Sequence, residues 1–133
     1  MNRRTFLMAK ATTLLLPMCA NAYSFVQYTP AAWAELKKTN QTVILNFRAN
    51  GSLTCNQKLE LIAQLIGQNS NYDSLTFVDV DWDHFGQSVM ASSLEVKRHS
   101  TLIVMKNGSE VTQIVSEPYE RKMRTFLDAA VAA

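Results

Sequence analysis

The sequence predicts one α/β domain, built as a mixed central sheet with helices on both faces. Two β-branched strand segments alternate with helical segments, an Asn-Gly hairpin follows them, and an amphipathic helix comes last. Parallel strands need a crossover connection, whereas strands joined by a two-residue turn are antiparallel. The order therefore favours a sheet with both strand directions. A composition of 47% hydrophobic and 18% charged residues excludes a disordered or collagen-like chain.

The first predicted elements are a helix and a buried strand. Thr29 followed by Pro30 is typical of a helix start, and Trp33 and Leu36 mark the inner face of that helix. Residues 42–48 are almost continuously apolar and rich in β-branched side chains. They predict a strand that is covered on both faces.

Two helices and one strand are predicted in the middle of the chain. A helix should run from Ser52 to about Gly67, residues 75–81 alternate as a strand, and residues 83–94 should form the next helix. Apolar residues in the first of these helices recur at the spacing of one helix face; they are Cys55, Leu59, Ile62 and Ile66. Cys55 is therefore expected on an apolar stripe.

A hairpin and a helix are predicted at the end. Asn107 and Gly108 form a strong turn signal between strands at 101–105 and 110–115. A last helix should begin near Pro118, with an inner face made of Met123, Phe126, Leu127 and Val131.

Residues 1–22 have the pattern of a cleaved signal peptide. A basic start precedes a short apolar stretch at residues 11–18 and a small-x-small cleavage site at residues 20–22. The apolar stretch is too short to span a bilayer as a helix. We therefore expect a mature domain of residues 23–133, no membrane anchor after cleavage, and a periplasmic location.

The leader also explains the charge of the chain. Arg3 and Arg4, followed by Thr-Phe-Leu, resemble the twin-arginine export signal. The whole chain has a formal charge of +2, but three basic residues lie in the leader, so the remainder carries ten basic and eleven acidic residues. This near-neutral balance does not provide the excess of positive charge that binding to nucleic acid or anionic lipid requires. Without Cys19, Cys55 is the single cysteine, and no intramolecular disulfide can form.

Two segments resemble landmarks of the thioredoxin family. The first segment, within residues 43–57, is similar to the part of the family that contains a strand, a Trp and a Cys-x-x-Cys motif. It reads Val-Ile-Leu-Asn-Phe-Arg-Ala followed by Asn-Gly-Ser-Leu-Thr-Cys. Arg-His-Ser-Thr at residues 98–101 is similar to the loop that normally carries a cis-proline. The resemblance extends from about Pro30 to Ala130. It implies a thioredoxin-like fold and a link to thiol–disulfide metabolism.

Four positions depart from the family pattern. In this chain, Ser52 takes the place of the family's first cysteine, and Asn46 takes the place of a buried Asp. Gly51 stands where the family has the Trp, and Ser100 stands where it has the cis-proline. A serine hydroxyl cannot exchange disulfides, and an amide cannot act as a general acid or base. The resemblance thus implies a degenerate Ser-x-x-Cys site, in which Cys55 and Ser52 allow at most monothiol chemistry. Ser52 is also a favoured helix N-cap.

The resemblance further implies a substrate-binding loop made of His99, Ser100 and Thr101, facing the Ser52 end of the helix. His99 is a candidate charge partner for the thiol. Cys55 itself has two interpretations. It is either a small buried core residue or a thiol that forms mixed disulfides, helped by its place in the first helical turn.

Two functions stay open from the sequence. The first is exchange of mixed disulfides with protein thiols through Cys55. The alternative is a non-catalytic, chaperone-like or docking module that grips an extended polypeptide without redox chemistry. A dimer linked through Cys55 is a third interpretation.

No cofactor or metal is expected. Asp79, Asp81 and Asp83 have the spacing that begins a calcium loop. However, His84 stands where that loop needs Gly, and Met90 stands where it needs Glu. Two His and one Cys at wide spacing do not predict a zinc site either.

Overall fold

The computed structural model describes residues 25–115 and 118–133. These residues form a five-stranded mixed sheet with helices on both faces, which confirms the predicted fold class. In the described ranges, no helix has the length and apolar character needed to cross a membrane. The predicted leader at residues 1–22 lies outside the described residues, so its cleavage and the domain start at residue 23 stay predictions.

Five strands and five α-helices follow one another along the described chain. The strands are β1 (Val26–Gln27), β2 (Thr42–Arg48), β3 (Thr76–Asp81), β4 (Thr101–Lys106) and β5 (Ser109–Val115). The helices are α1 (Pro30–Lys37), α2 (Leu53–Gln68), α3 (Trp82–Phe85), α4 (Val89–Ser93) and α5 (Glu120–Ala132). A short 3₁₀ helix (Ser70–Ser74) connects α2 to β3.

Strand β2 lies in the middle of the sheet, whose spatial order is β1-β3-β2-β4-β5. It runs parallel to β3 and antiparallel to β4. Its first six residues are buried, as a strand covered on both faces requires. Strand β1 was not predicted, because two residues are too few to show a periodicity; it adds to the sheet edge through pairing of Val26 with Val78.

Each face of the sheet has its own hydrophobic core. On one face, α2 and α5 pack on alternate strand residues; this core includes Ile44, Ile62, Phe77, Leu102 and Leu127. On the other face, α1 and α4 contribute to a second core, which includes Trp33, Leu45, Val80, Ala91 and Ile103. The two-residue alternation of β2 therefore decides which of its side chains meet α2.

The hairpin between β4 and β5 forms at the predicted dipeptide. Asn107 and Gly108 both have positive φ, 53° and 78°. A type I′ turn needs positive φ at both central residues, and Asn and Gly adopt it at the lowest cost.

The single helix predicted at residues 83–94 is wrong, because this segment forms α3 and α4. Asp81 caps α3 by accepting the Asp83 N–H at 3.0 Å. Ser88 starts a new helix by accepting the Ala91 N–H at 3.2 Å. Side chains that cap a helix compete with continuous helical hydrogen bonding, and this competition divides the segment.

Two predicted helix faces also need correction. In α2 the buried residues are Cys55, Lys58, Ile62 and Leu65, whereas Leu59 and Ile66 are half-buried. In α5 the buried residues are Met123, Phe126, Leu127 and Ala130, and Val131 is 40% exposed. Residue type favoured the larger Val131, but the helix turns the small Ala130 toward the sheet.

Helix α5 provides a test of this packing. Leu127→Ala should destabilise the protein by about 2–5 kcal/mol, because it removes a fully buried side chain and leaves a cavity. Val131→Ala, in the same helix but exposed, is the matched control and should change stability by less than about 0.5 kcal/mol. Urea unfolding followed by circular dichroism measures both values. Equal losses would contradict the assigned inner face.

Candidate functional site

Cys55 lies in the first turn of α2, directly after the central strand. Gly51 has a φ of +77°, a left-handed conformation that turns the chain from β2 toward the helix. Ser52 then caps the helix, and its Oγ accepts the Cys55 N–H at 3.3 Å. The cysteine side chain points inward and is 1% exposed. The burial that the sequence suggested for Cys55 is therefore present.

Ser100 contacts the thiol from the loop before β4. Its Oγ lies 2.8 Å from Cys55 Sγ. The residue is fully buried and has a φ of +60°, a conformation that costs a non-glycine residue about 1–3 kcal/mol. Its N–H donates to the Phe47 carbonyl at 2.8 Å, and its own carbonyl accepts a hydrogen bond from Lys58 Nζ. Ser100 is thus fixed by backbone and side chain together.

His99 and Thr101 occupy different positions beside Ser100. His99 Nδ1 lies 3.9 Å from Cys55 Sγ and 3.3 Å from Ser100 Oγ, so the imidazole borders the same site. Thr101 is fully buried in β4, and its hydroxyl donates to the Arg98 carbonyl at 2.8 Å. The structure brings Ser52, Cys55, His99 and Ser100 together, while the Thr101 side chain is engaged within its own loop.

The pKa of the Cys55 thiol is lowered from its ordinary value. Burial is the largest single influence and raises the pKa, because it disfavours the charged form. Hydrogen bonds from the Ser100 and Ser52 side chains, and from the backbone of Ala49 and Ser100, act in the opposite direction and together outweigh burial. The site therefore stabilises a thiolate through hydrogen bonds rather than through solvent exposure.

Lys58 was not among the predicted site residues; it is fully buried on the same face of α2 as Cys55. Lys is almost never fully buried unless it is paired. A signal was available in the spacing, because residues 55, 58, 62 and 65 form one helix face with a charged residue between apolar ones.

Polar residues also lie on the strands that face α2. Asn46 is 1% exposed, and its Nδ2 has no hydrogen-bond partner among residues 25–115 and 118–133. Its register partner on β3 is Asp79, whose carboxylate accepts two hydrogen bonds from Arg48, at 3.1 and 2.6 Å. The α2-facing side of the sheet is therefore apolar in its middle and polar at the end near the thiol.

The acidic residues whose spacing begins a calcium loop make contacts within the fold. Asp79 pairs with Arg48, Asp81 caps α3, and Asp83 accepts the Asn50 N–H at 3.4 Å. Within the described part of the chain, no three His, Cys, Asp or Glu side chains cluster as metal ligands would.

Comparison with known proteins supports one family. No family model matches the chain. Thioredoxin H5 of Oryza sativa subsp. japonica is 29% identical over 92 residues, which cover 69% of this chain. The match spans 64% of the length of that plant protein, a little less than two thirds.

Solved structures match over most of the chain. Trxlp from Edwardsiella tarda EIB202 aligns with a TM-score of 0.68 at 23% identity, covering 78% of this chain and 98% of that protein. Malassezia sympodialis thioredoxin (Mala s 13) aligns with a TM-score of 0.69 at 18% identity, covering 84% and 94%. These structural matches show the thioredoxin fold. Together with the sequence match, they support a likeness to the thioredoxin-like family.

Proposed function

We propose that this chain is an exported thioredoxin-like protein of thiol–disulfide metabolism, in which Cys55 reacts as a monothiol with protein thiols and disulfides. The contact between Cys55 Sγ and Ser100 Oγ carries the proposal, because it stabilises a thiolate in the first turn of α2. The proposed periplasmic location rests on the leader pattern of residues 1–22.

The proposed exchange takes place in two balanced steps. The Cys55 thiolate attacks one sulfur of a partner disulfide, a new sulfur–sulfur bond forms, and the other partner sulfur leaves as a thiolate. A thiolate from a second molecule then attacks the mixed disulfide and releases Cys55. An external thiol is needed, because position 52 carries a serine where the family has the second cysteine.

Burial sets the conditions for this chemistry. Cys55 and Ser100 are both essentially inaccessible, so a partner disulfide reaches the sulfur only when the first turn of α2 or the loop at residues 98–100 opens. Leu53, one position after Ser52, is 71% exposed. This side chain offers an apolar contact next to the site, which suits an extended polypeptide partner better than a small polar thiol.

A docking module without redox chemistry is the second candidate. The 1% exposure of Cys55 and the exposed Leu53 favour it, because a surface that grips polypeptide needs no reactive sulfur. The two candidates differ in one respect that experiment can address, which is whether capture of partners requires the Cys55 sulfur.

Trapping of mixed disulfides tests the main proposal. In acid-quenched, alkylated cells, non-reducing gels should show partner adducts for the wild-type chain, and Cys55→Ser should abolish them because the bond-forming sulfur is gone. Cys19→Ser is the matched control and should leave the adducts unchanged. Partner capture that persists in Cys55→Ser and resists reductant would instead support the docking module.

The thiolate itself gives a second prediction. Ser100→Ala should raise the pKa of Cys55, because the thiolate loses the hydroxyl that donates to it at 2.8 Å. Below the midpoint, each unit of increase lowers the thiolate fraction about tenfold, so exchange at neutral pH should slow. Ultraviolet absorbance of the thiolate, with the Cys55→Ser signal subtracted, measures the midpoint.

A distant serine serves as the control for that titration. Ser92→Ala, exposed in α4, should leave the midpoint of Cys55 unchanged. An unaltered midpoint in Ser100→Ala would show that the hydroxyl does not stabilise the thiolate.

Export is tested at the leader. Replacing Arg3 and Arg4 with lysine should block appearance of the protein in the periplasmic fraction, because twin-arginine signals depend on the arginine pair. A general secretory leader would tolerate the change, since lysine keeps the basic start. Immunoblots of cell fractions measure the outcome. Export of the double variant at the wild-type level would assign the leader to the general secretory route.

A further inference from the structure

Burial of the Lys58 side chain carries a free-energy cost. Its side chain is fully buried on the inner face of α2, between Cys55 and Ile62. Moving an ammonium group out of water carries a large desolvation penalty, and an apolar residue of similar volume is often neutral or stabilising at such a position. Core packing alone therefore does not account for a lysine here.

The contacts of Lys58 connect it to the reactive sulfur. Its Nζ donates to the carbonyl of Ser100, while the N–H of Ser100 donates to Phe47 on β2. These two bonds hold the backbone of Ser100 on both sides of its strained, left-handed φ. In this conformation the Ser100 hydroxyl lies 2.8 Å from Cys55 Sγ.

We propose that Lys58 is a positioning residue for Cys55, acting through Ser100. Cys55 and Lys58 are three residues apart on one face of α2, and Ser100 contacts both side chains, one with its hydroxyl and one with its carbonyl. The helix thus holds the loop at two points, and the lysine fixes the orientation of the hydroxyl that stabilises the thiolate. This role rests on the proposed function insofar as it concerns the same sulfur.

The other charged groups around the site are arranged differently. Arg48 on β2 is bound to Asp79 on β3 by two hydrogen bonds. His99 contributes Nδ1 at 3.9 Å from Cys55 Sγ, a longer contact than the one made by Ser100. Lys58, by contrast, donates a hydrogen bond to the carbonyl of Ser100 itself.

Lys58→Met tests the proposal, because it keeps a long apolar side chain and removes the ammonium. The thiolate fraction of Cys55 at a fixed pH below its midpoint should fall about tenfold, while the unfolding midpoint in urea stays equal or increases. Ile62→Val, on the same buried face, is the control and should lower stability without moving the titration. If methionine prevents folding, Lys58→Leu, which also lacks a hydrogen-bond donor, takes its place with the same expected fall.

A double variant separates positioning from a direct effect of charge. In a Ser100→Ala background, Lys58→Met should have little further effect on the thiolate, because the hydroxyl through which it acts is already gone. An unchanged titration in the single variant, or an equal shift in both backgrounds, would overturn the proposal. The titration does not depend on exchange with a partner. Failure to trap mixed disulfides would therefore refute the proposed function, whereas the role of Lys58 is decided by the titration alone.

Discussion

The pairing of β2 with β4 is the constraint on which the site depends. Because these strands are antiparallel and Phe47 pairs with Thr101, the end of β2 lies beside the start of β4. The chain leaves β2 into α2 and enters β4 from the loop that contains Ser100. A residue in the first turn of α2 and a residue 45 positions later are thereby brought into hydrogen-bond contact. A shift of this register by one residue would place strand side chains on the opposite face and separate the pair.

Energetically unfavourable features are concentrated at this end of the sheet. Ser100 has a left-handed backbone, Lys58 buries its side chain completely, and Asn46 has a buried amide nitrogen without a partner among the described residues. The middle of both cores is apolar and regular. Strain and buried polarity persist when the surrounding structure holds them in place, and they cluster where a protein binds or reacts. Their position next to Cys55 is the physical reason to look for function there.

On the proposed function, serine at position 52 limits the chemistry of the site more than it changes the fold. Ser52 satisfies the N-terminus of α2 as a cap, so the helix starts normally without the first thiol. Under the proposed function, a serine at this position supplies no second thiol to release a mixed disulfide within the chain. The proposed monothiol exchange therefore depends on other molecules, both for its partner and for its release, and the burial of Cys55 makes local opening part of either event.

The sequence by itself determined the order of the main elements, the buried character of β2, the turn at Asn107 and Gly108, and the cap at Ser52. Each of these depends on neighbouring residues and on backbone preferences that a short segment carries within it. The tertiary structure alone decided that Ala130, and not Val131, faces the sheet, and that Lys58 is buried. The resemblance implied that the Ser100 loop faces the Ser52 end of α2, and the tertiary structure decided that the Ser100 hydroxyl lies 2.8 Å from Cys55 Sγ. Local periodicity placed Lys58 on one helix face with Cys55 and Ile62, but burial and contact depend on residues far apart in the chain.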